Sequence, residues 1–273
     1  MSRWTIEEPT TLDFDGVVAL RATLIAGSVS VLPTDDRPSI QISAIEGPPL
    51  VVTHDAGMLT VTHERLLEGV LAWLRTQVCR AEITVMVPHD CPVSLNLVSA
   101  DAVLTGLTAR SSIKSGTGDV TLDGVTGEVD ANTVSGAIEA QGLDGRLTFA
   151  SVSGDLSLAD GLVDSLAART VSGKIAADVE LAPSSKIEIT TVSGEVALRV
   201  PATTGAAVAL NSAAGRLESS FPGLTREDRS IARTLGGTIG DGSAKLTVGT
   251  VSGAVTLLVR PGDEEITAPG MEK

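Results

Sequence analysis

The sequence has few aromatic residues and few basic ones. Aromatic residues make up 2% of the 273 positions, and there is no tyrosine. Sites for sugars and single-stranded nucleic acids usually stack their ligands on exposed rings, and few rings are available here. Twenty Lys and Arg stand against 34 Asp and Glu, so the formal net charge is −14. Phosphate backbones and anionic headgroups repel such a protein, and we therefore predict no nucleic-acid partner.

Long apolar runs are also missing. No run approaches the roughly 18 apolar residues that a membrane-spanning helix requires. The first residues lack the pattern of a charged segment followed by an apolar segment that marks a secretory signal. We therefore expect no membrane span and a cytoplasmic location, with the cell surface as the alternative.

Cysteine and histidine are too sparse to predict a metal or redox site. Cys79 and Cys91 are the only cysteines, and without histidines at ligand spacing they make a poor zinc site. We expect two buried thiols flanking a strand and a turn, although the sequence leaves open whether they pair. His54, His63 and His89 are scattered, and we expect them on surface turns, with His54 and His63 sharing one hairpin as the other possibility.

Aliphatic residues and a glycine repeat dominate what is present. Between residues 115 and 158 glycine recurs every nine residues, and a Thr/Ser-Val-Ser-Gly tetrapeptide recurs from residue 133 onward, with successive steps of 18, 19 and 21 residues between its first four copies. Repeats of this length are typical of solenoids. We predict an all-β, right-handed β-helix-like solenoid of stacked short strands, with 18–21 residues per coil. The repeat glycines are Gly118, Gly127, Gly136, Gly145, Gly154, Gly173, Gly194 and Gly253.

Positions around each glycine have predicted roles. Aliphatic residues at −2, +2 and +4 should face the core, and glycine should permit either positive φ or close backbone stacking. If −2 faces inward, Val192→Asp would bury a charge and disrupt the stack. The serine before each tetrapeptide glycine should form a hydroxyl ladder that satisfies backbone groups at the corner. These serines are Ser135, Ser153, Ser172, Ser193 and Ser252.

The chain outside the regular repeat divides into several segments. Residues 1–98 should form a β meander that contributes to the stack or caps it, with a short helix or loop near 64–75. Residues 99–260 hold the repeat. The 38-residue step from Gly215, in a weaker copy, to Gly253 suggests two coils with an insertion, and residues 221–235 should form a loop or short helix. Residues 261–273 should be a disordered tail.

Neither a catalytic motif nor a cofactor motif is evident, so we predict no enzyme, no cofactor and no metal site. The glycine-rich stretch 236–242 lacks the ending of a phosphate-binding loop. Calcium-binding nonapeptide repeats need an aspartate at a fixed position, whereas Asp119, Asp144 and Asp155 do not all share one register. A β-helix carbohydrate-active enzyme would need clustered carboxylates, for which Asp155, Asp160 and Asp164 are the candidates.

Several motifs together resemble a known bacterial family. They are the repeated TVSG with an aliphatic residue two positions later, GPPL at 47–50, SADAVLTGL at 99–107 and TVSGAVTLL at 250–258. Over about residues 4–260 the chain is similar to a β-strand-repeat domain of unknown function that carries the label "putative adhesin". The resemblance implies a right-handed β-helix-like solenoid and offers no catalytic residues to transfer.

The leading functional hypothesis is a non-enzymatic scaffold or protein-interaction module, adhesin-like in fold. Its partner would be a protein, and copies could associate through the ends or edges of the stack. One alternative is an envelope-linked adhesin or stress-sensing module. A second alternative is a carbohydrate-active enzyme built on the β-helix.

Overall fold

The computed structural model describes residues 2–63, 79–229 and 232–260. Across these ranges the chain is all β, with 22 strands and no helix. Within them, no helix long and apolar enough to cross a membrane is found. The helix or loop predicted near 64–75 and the predicted tail at 261–273 lie outside the described residues.

Within each described range, the strands follow one another with short connections. The first eleven are β1 Ser2–Ile6, β2 Thr10–Asp13, β3 Ala19–Pro33, β4 Ser39–Glu46, β5 Leu50–Asp55, β6 Met58–His63, β7 Arg80–Val87, β8 Val93–Thr105, β9 Ser111–Ser115, β10 Val120–Asp123 and β11 Thr126–Thr133. The others are β12 Ile138–Gln141, β13 Asp144–Ala150, β14 Leu156–Thr170, β15 Ile175–Thr191, β16 Val196–Pro201, β17 Ala206–Ser212, β18 Leu217–Ser219, β19 Thr225–Arg229, β20 Ala232–Ile239, β21 Ala244–Thr250 and β22 Val255–Arg260.

Successive coils stack in parallel and in register, which makes the fold a β-solenoid. Val120, Ile138, Leu156, Ile175 and Val196 are partners in neighbouring coils. The steps between them match the predicted coil length. Each coil contributes one strand to each of two sheets. The strand that precedes the tetrapeptide glycine lies in what we call the front sheet, and the strand that follows this glycine lies in the back sheet. The front sheet includes β9, β11, β13, β21 and β17, the back sheet includes β10, β12, β16, β22 and β18, and the long strands β3, β8, β14 and β15 bend to serve both.

A single aliphatic core runs between the two sheets. The residues at +2 and +4 from the glycines are buried, as predicted, because alternate side chains of a strand point to the same face. Phe149 is the largest fully buried side chain among them. The core continues without a break from Ile6 to Leu257, so residues 1–98 share it with the repeat.

The order of coils departs from the order of the chain at both ends. The coil of β21 and β22 lies between the coil of β15 and β16 and the coil of β17 and β18. The expectation of two consecutive coils with an insertion before Gly253 is therefore wrong. At the other end, β3 lies between β8 on one side and β6 and β7 on the other.

Antiparallel strands cap the stack. At the N-terminal end β5 and β1 extend the front sheet, and β4 and β2 extend the back sheet. At the C-terminal end β20 and β19 form an antiparallel hairpin on the front sheet. The loop or short helix predicted for 221–235 is therefore wrong for residues 225–229 and 232–235, which are strands, whereas residues 221–224 form a turn. This segment does not repeat because it pairs antiparallel as a cap, burying Leu235 while Arg226 and Glu227 stay exposed.

Candidate interaction surface

The corner glycines of the tetrapeptide copies are required by close stacking. A Cβ atom at Gly136, Gly154, Gly173, Gly194 or Gly253 would overlap the carbonyl oxygen of the corner glycine in the preceding coil. None of these five glycines has positive φ. A side chain is excluded at these five positions because the backbones of successive coils are in contact there. The φ angle of the glycine is not the reason.

A second type of corner uses positive φ. Gly127 and Gly145 have φ of 95° and 122°, and the glycines three residues earlier, Gly124 and Gly142, have φ of 60° and 62°. These angles favour glycine because a Cβ is disfavoured there. Gly118 belongs to the first type, since its Cβ would overlap the carbonyl oxygen of Ala100. The nine-residue spacing therefore alternates two corners with different physical demands.

The residue three before each tetrapeptide glycine carries a hydroxyl that caps the corner, a role that was not predicted from the sequence. Thr133, Thr170, Thr191 and Thr250 are buried, and each Oγ1 accepts a hydrogen bond of 2.9–3.0 Å from the glycine N–H. In the same position Ser151 accepts from Gly154 N–H at 2.6 Å. A hydroxyl at −3 in every copy was the available signal for this role.

The valine at −2 in each tetrapeptide faces outward. Val134, Val152, Val171, Val192 and Val251 are 46–55% exposed. The inward assignment was thus wrong for these copies, and with it the expectation for Val192→Asp. The chain turns outward after the buried hydroxyl in order to round the corner. The assignment was right for Val125 and Leu143, which are buried at the second type of corner.

These five valines form one continuous row, which we call the corner ridge. Hydrogen bonds join adjacent corners: Val171 N–H donates to Val152 O, and Ser193 N–H donates to Val171 O. The coil of Val251 follows that of Val192 directly, because Ser252 N–H donates to Val192 O. The four steps between the five valines, at about 4.8 Å each, give a ridge roughly 19 Å long.

The predicted serines line one side of this ridge. Ser135, Ser153, Ser172, Ser193 and Ser252 are all exposed. Four of them donate from Oγ to the carbonyl oxygen of a ridge valine in the preceding coil, over 3.3–3.4 Å. The long distances make these weak bonds, so the row keeps hydroxyl groups available at the surface.

The outer face of the back sheet carries a second surface feature, a shallow groove of 420 Å³ lined by Thr121, Asp123, Glu139, Gln141 and Ser157. No ion pair of the described residues involves Asp123 or Glu139. Farther along the same face, charges are paired, as in Arg260 to Asp178 at 2.6 Å. The unpaired carboxylates add to the electrostatic repulsion of polyanions.

The candidate carboxylates do not gather into one site. Asp155 Oδ1 accepts a hydrogen bond of 2.7 Å from Lys174 N–H in the next coil. Asp160 and Asp164 lie at two separate register shifts within β14. Within the part of the chain that the structure describes, no group of three His, Cys, Asp or Glu could hold a metal ion.

His54 and His63 share the β5–β6 hairpin, but the expectation of a surface position was wrong for His63, which is buried. Its Nδ1 lies 3.4 Å from Pro48 O. Burial lowers the pKa of His63, and the contact with the Pro48 carbonyl opposes that shift in part. His89 is exposed, with its Nε2 3.7 Å from Asp35.

The two cysteines are free thiols with different environments. Cys91 is buried, whereas Cys79 is half-buried, so only one of the two expected buried thiols is found. Burial, together with the nearby Asp90 carboxylate, raises the pKa of Cys91 to about 11. A thiol that stays protonated is a poor nucleophile.

Comparison with known proteins places this fold among bacterial solved structures. A structure described as a "putative lipid binding protein" from Parabacteroides distasonis is 17% identical, with a TM-score of 0.51, and covers 93% of this chain and 97% of its own. At this identity the likeness shows a shared fold. A "putative adhesin" from Bacteroides fragilis is 9% identical, with a TM-score of 0.42, and covers 92% of this chain and 97% of its own.

A "putative cell adhesion protein" from Clostridium sporogenes is 12% identical, with a TM-score of 0.23, and covers 93% of this chain and all of its own. No curated protein matches the sequence. The family model described as Toastrack DUF4097 matches residues 49–258. That match spans most of the solenoid, including all five tetrapeptide copies, so the chain belongs to the Toastrack DUF4097 family, a bacterial domain family of unknown function.

Proposed function

We propose that this protein is a non-enzymatic protein-interaction module that binds its partner through the corner ridge. The observation that carries the proposal is the exposure of five valines in one unbroken row. Isolated exposed apolar residues are ordinary on protein surfaces, whereas contiguous apolar patches mark interaction sites. The serine row beside the ridge adds polar groups of the kind that rim a protein interface.

The rigidity of the ridge supports the same proposal. Each valine lies on a corner whose glycine is fixed by backbone stacking and by a buried hydroxyl. A partner would therefore meet a preformed surface and lose little of its binding energy to ordering this chain. Solenoids commonly use such extended, repetitive surfaces to bind other macromolecules.

The test compares two double variants with the same chemical change. Val152→Thr with Val171→Thr alters the ridge, and Val18→Thr with Val103→Thr changes two exposed valines elsewhere. Threonine keeps the β-branched shape and all four positions are exposed, so both variants should fold. Affinity capture from native lysate is then quantified for the wild type and for both variants.

We expect the ridge variant to lose most of the partner that the wild type captures, while the control variant keeps it. Equal capture by all three proteins would refute the ridge as the binding surface. The right-handed winding and the cytoplasmic location belong to this proposal as well. Cell fractionation distinguishes a cytoplasmic module from a surface-exposed one.

A further inference from the structure

The two sheets do not end at the same level at the C-terminal end of the stack. Strands β17 and β18 belong to one coil, joined through the corner at Gly215. Beyond that coil the front sheet continues with β20 and β19. Among the described residues, no strand extends the back sheet beyond β18. The front sheet therefore projects by two strands, or roughly 10 Å.

Among the strands that the structure describes, β18 pairs only with β22, so its other edge faces this step without a partner strand. Val255 N–H donates to Arg216 O, and Ser220 N–H donates to Leu257 O. In a parallel ladder alternate residues turn their N–H and C=O groups to opposite sides, so Leu217 and Ser219 point theirs away from β22. An open sheet edge of this kind is a template for pairing with another strand.

The space beyond β18 is a cleft of 420 Å³ between the sheet edge and the projecting hairpin. Polar groups form most of the cleft surface, with Glu218, Ser219 and Arg226 beside the apolar Leu217, Leu224 and Leu235. Leu217, Phe221 and Leu235 at this end of the core are at most 9% exposed, so the core itself is already covered. A β-strand entering the cleft would instead pair with the open edge of β18.

We propose that the C-terminal end of the stack is an interface between two copies of this chain, related by a two-fold axis. In this arrangement the β19–β20 hairpin of each copy fills the gap beyond β18 of the other. A step in one end of a molecule is complementary to itself under such an axis, as a closed two-fold interface requires. Each hairpin supplies two strands, the number by which the back sheet falls short.

Head-to-tail stacking fits less well, because the described strands at the N-terminal end reach the same level in both sheets. There each sheet carries two capping strands beyond β6 and β7. A level end placed against the step would touch the projecting hairpin and leave the gap over β18 empty. The proposed association therefore stops at two copies and does not grow into a fibre.

The test adds one negative charge to the cleft. Ser219→Asp keeps an acceptor for Phe221 N–H, which Ser219 Oγ holds at 3.1 Å, because aspartate makes the same local bond. Ser157→Asp makes the identical change on the exposed outer face of the back sheet, far from the step. Sedimentation equilibrium of the full chain gives the mass from low to high micromolar concentration, and circular dichroism verifies that each variant folds.

We expect the wild type and Ser157→Asp to reach twice the 27.9 kDa of one chain, and Ser219→Asp to remain at that single mass. A monomeric wild type throughout the range would overturn the proposal. A mass that keeps rising past two copies would overturn it in favour of head-to-tail growth. A dimer that survives Ser219→Asp would also overturn it, because the interface would lie elsewhere. These outcomes do not depend on the corner ridge, so the two proposals can fail separately.

Discussion

Replacing a corner glycine by alanine should open the stack locally. In Gly194→Ala the new Cβ would overlap the carbonyl oxygen of Gly173, a backbone atom that cannot move without moving its whole coil. Forcing such a contact costs about 1–3 kcal/mol in overpacking. The Cβ would also overlap Thr191 Oγ1, which accepts from Gly194 N–H, and separating the coils strains the bond from Ser193 N–H to Val171 O; both bonds measure 2.9 Å.

Losing one of these bonds adds about 1–3 kcal/mol, so the combined loss should be about 2–6 kcal/mol. The matched control is Gly249→Ala, within β21, where an added Cβ has no neighbour within 4 Å and φ is not positive. There alanine should stabilise the fold by about 0.4–1 kcal/mol, because it restricts the unfolded chain.

Urea unfolding followed by circular dichroism measures both variants against the wild type. We expect the midpoint to fall for Gly194→Ala and to stay level or rise for Gly249→Ala. A Gly194→Ala protein as stable as the wild type would show that the coils can move apart at the corner without a loss of stability. The reasoning from backbone contact would then be refuted.

Three further predictions concern the cap, the ridge and the buried histidine. Thr170→Val should lower stability by about 1–3 kcal/mol, because it leaves the buried Gly173 N–H without an acceptor, whereas Thr170→Ser should restore most of the loss in the same urea assay. Val192→Asp should lower the free energy of unfolding by less than about 1 kcal/mol, since Val192 is exposed. Val196→Asp, which places a charge in the core, should prevent folding under the same conditions. Burial lowers the pKa of His63 in the folded state, so the unfolded chain binds a proton at this histidine more readily. The free energy of unfolding should therefore fall as the pH drops below about 6.5. In His63→Gln the urea midpoint should depend less on pH in that range.

Much of the architecture could be predicted from the sequence because the physics of a coil is local. A strand needs alternating aliphatic residues, and a tight corner needs glycine. Because the aliphatic alternation and the glycine recur together, their spacing predicts the coil length. It also predicts the buried positions after each glycine, such as Val120 and Leu122. The same repeat displays a hydroxyl at −3, but its burial depends on how the corner bends.

Tertiary structure decided everything that depends on contact between distant segments. Val125 and Val192 share the −2 position, but one is buried and the other exposed, because two types of corner alternate along the chain. Local sequence does not state which way the backbone turns after the strand.

Order along the stack was decided by tertiary structure as well. The coil containing Gly253 fits between those of Gly194 and Gly215 because all tetrapeptide coils present nearly equivalent edges, so the pattern of one coil does not specify its neighbours. The antiparallel hairpin at 225–239 closes the front sheet only, and this choice creates the step at the C-terminal end. The sequence by itself thus determined the repeating unit, its length and its aliphatic core. Only the assembled stack determined the corner ridge and the stepped end, because both arise from contacts between coils that are far apart in the chain.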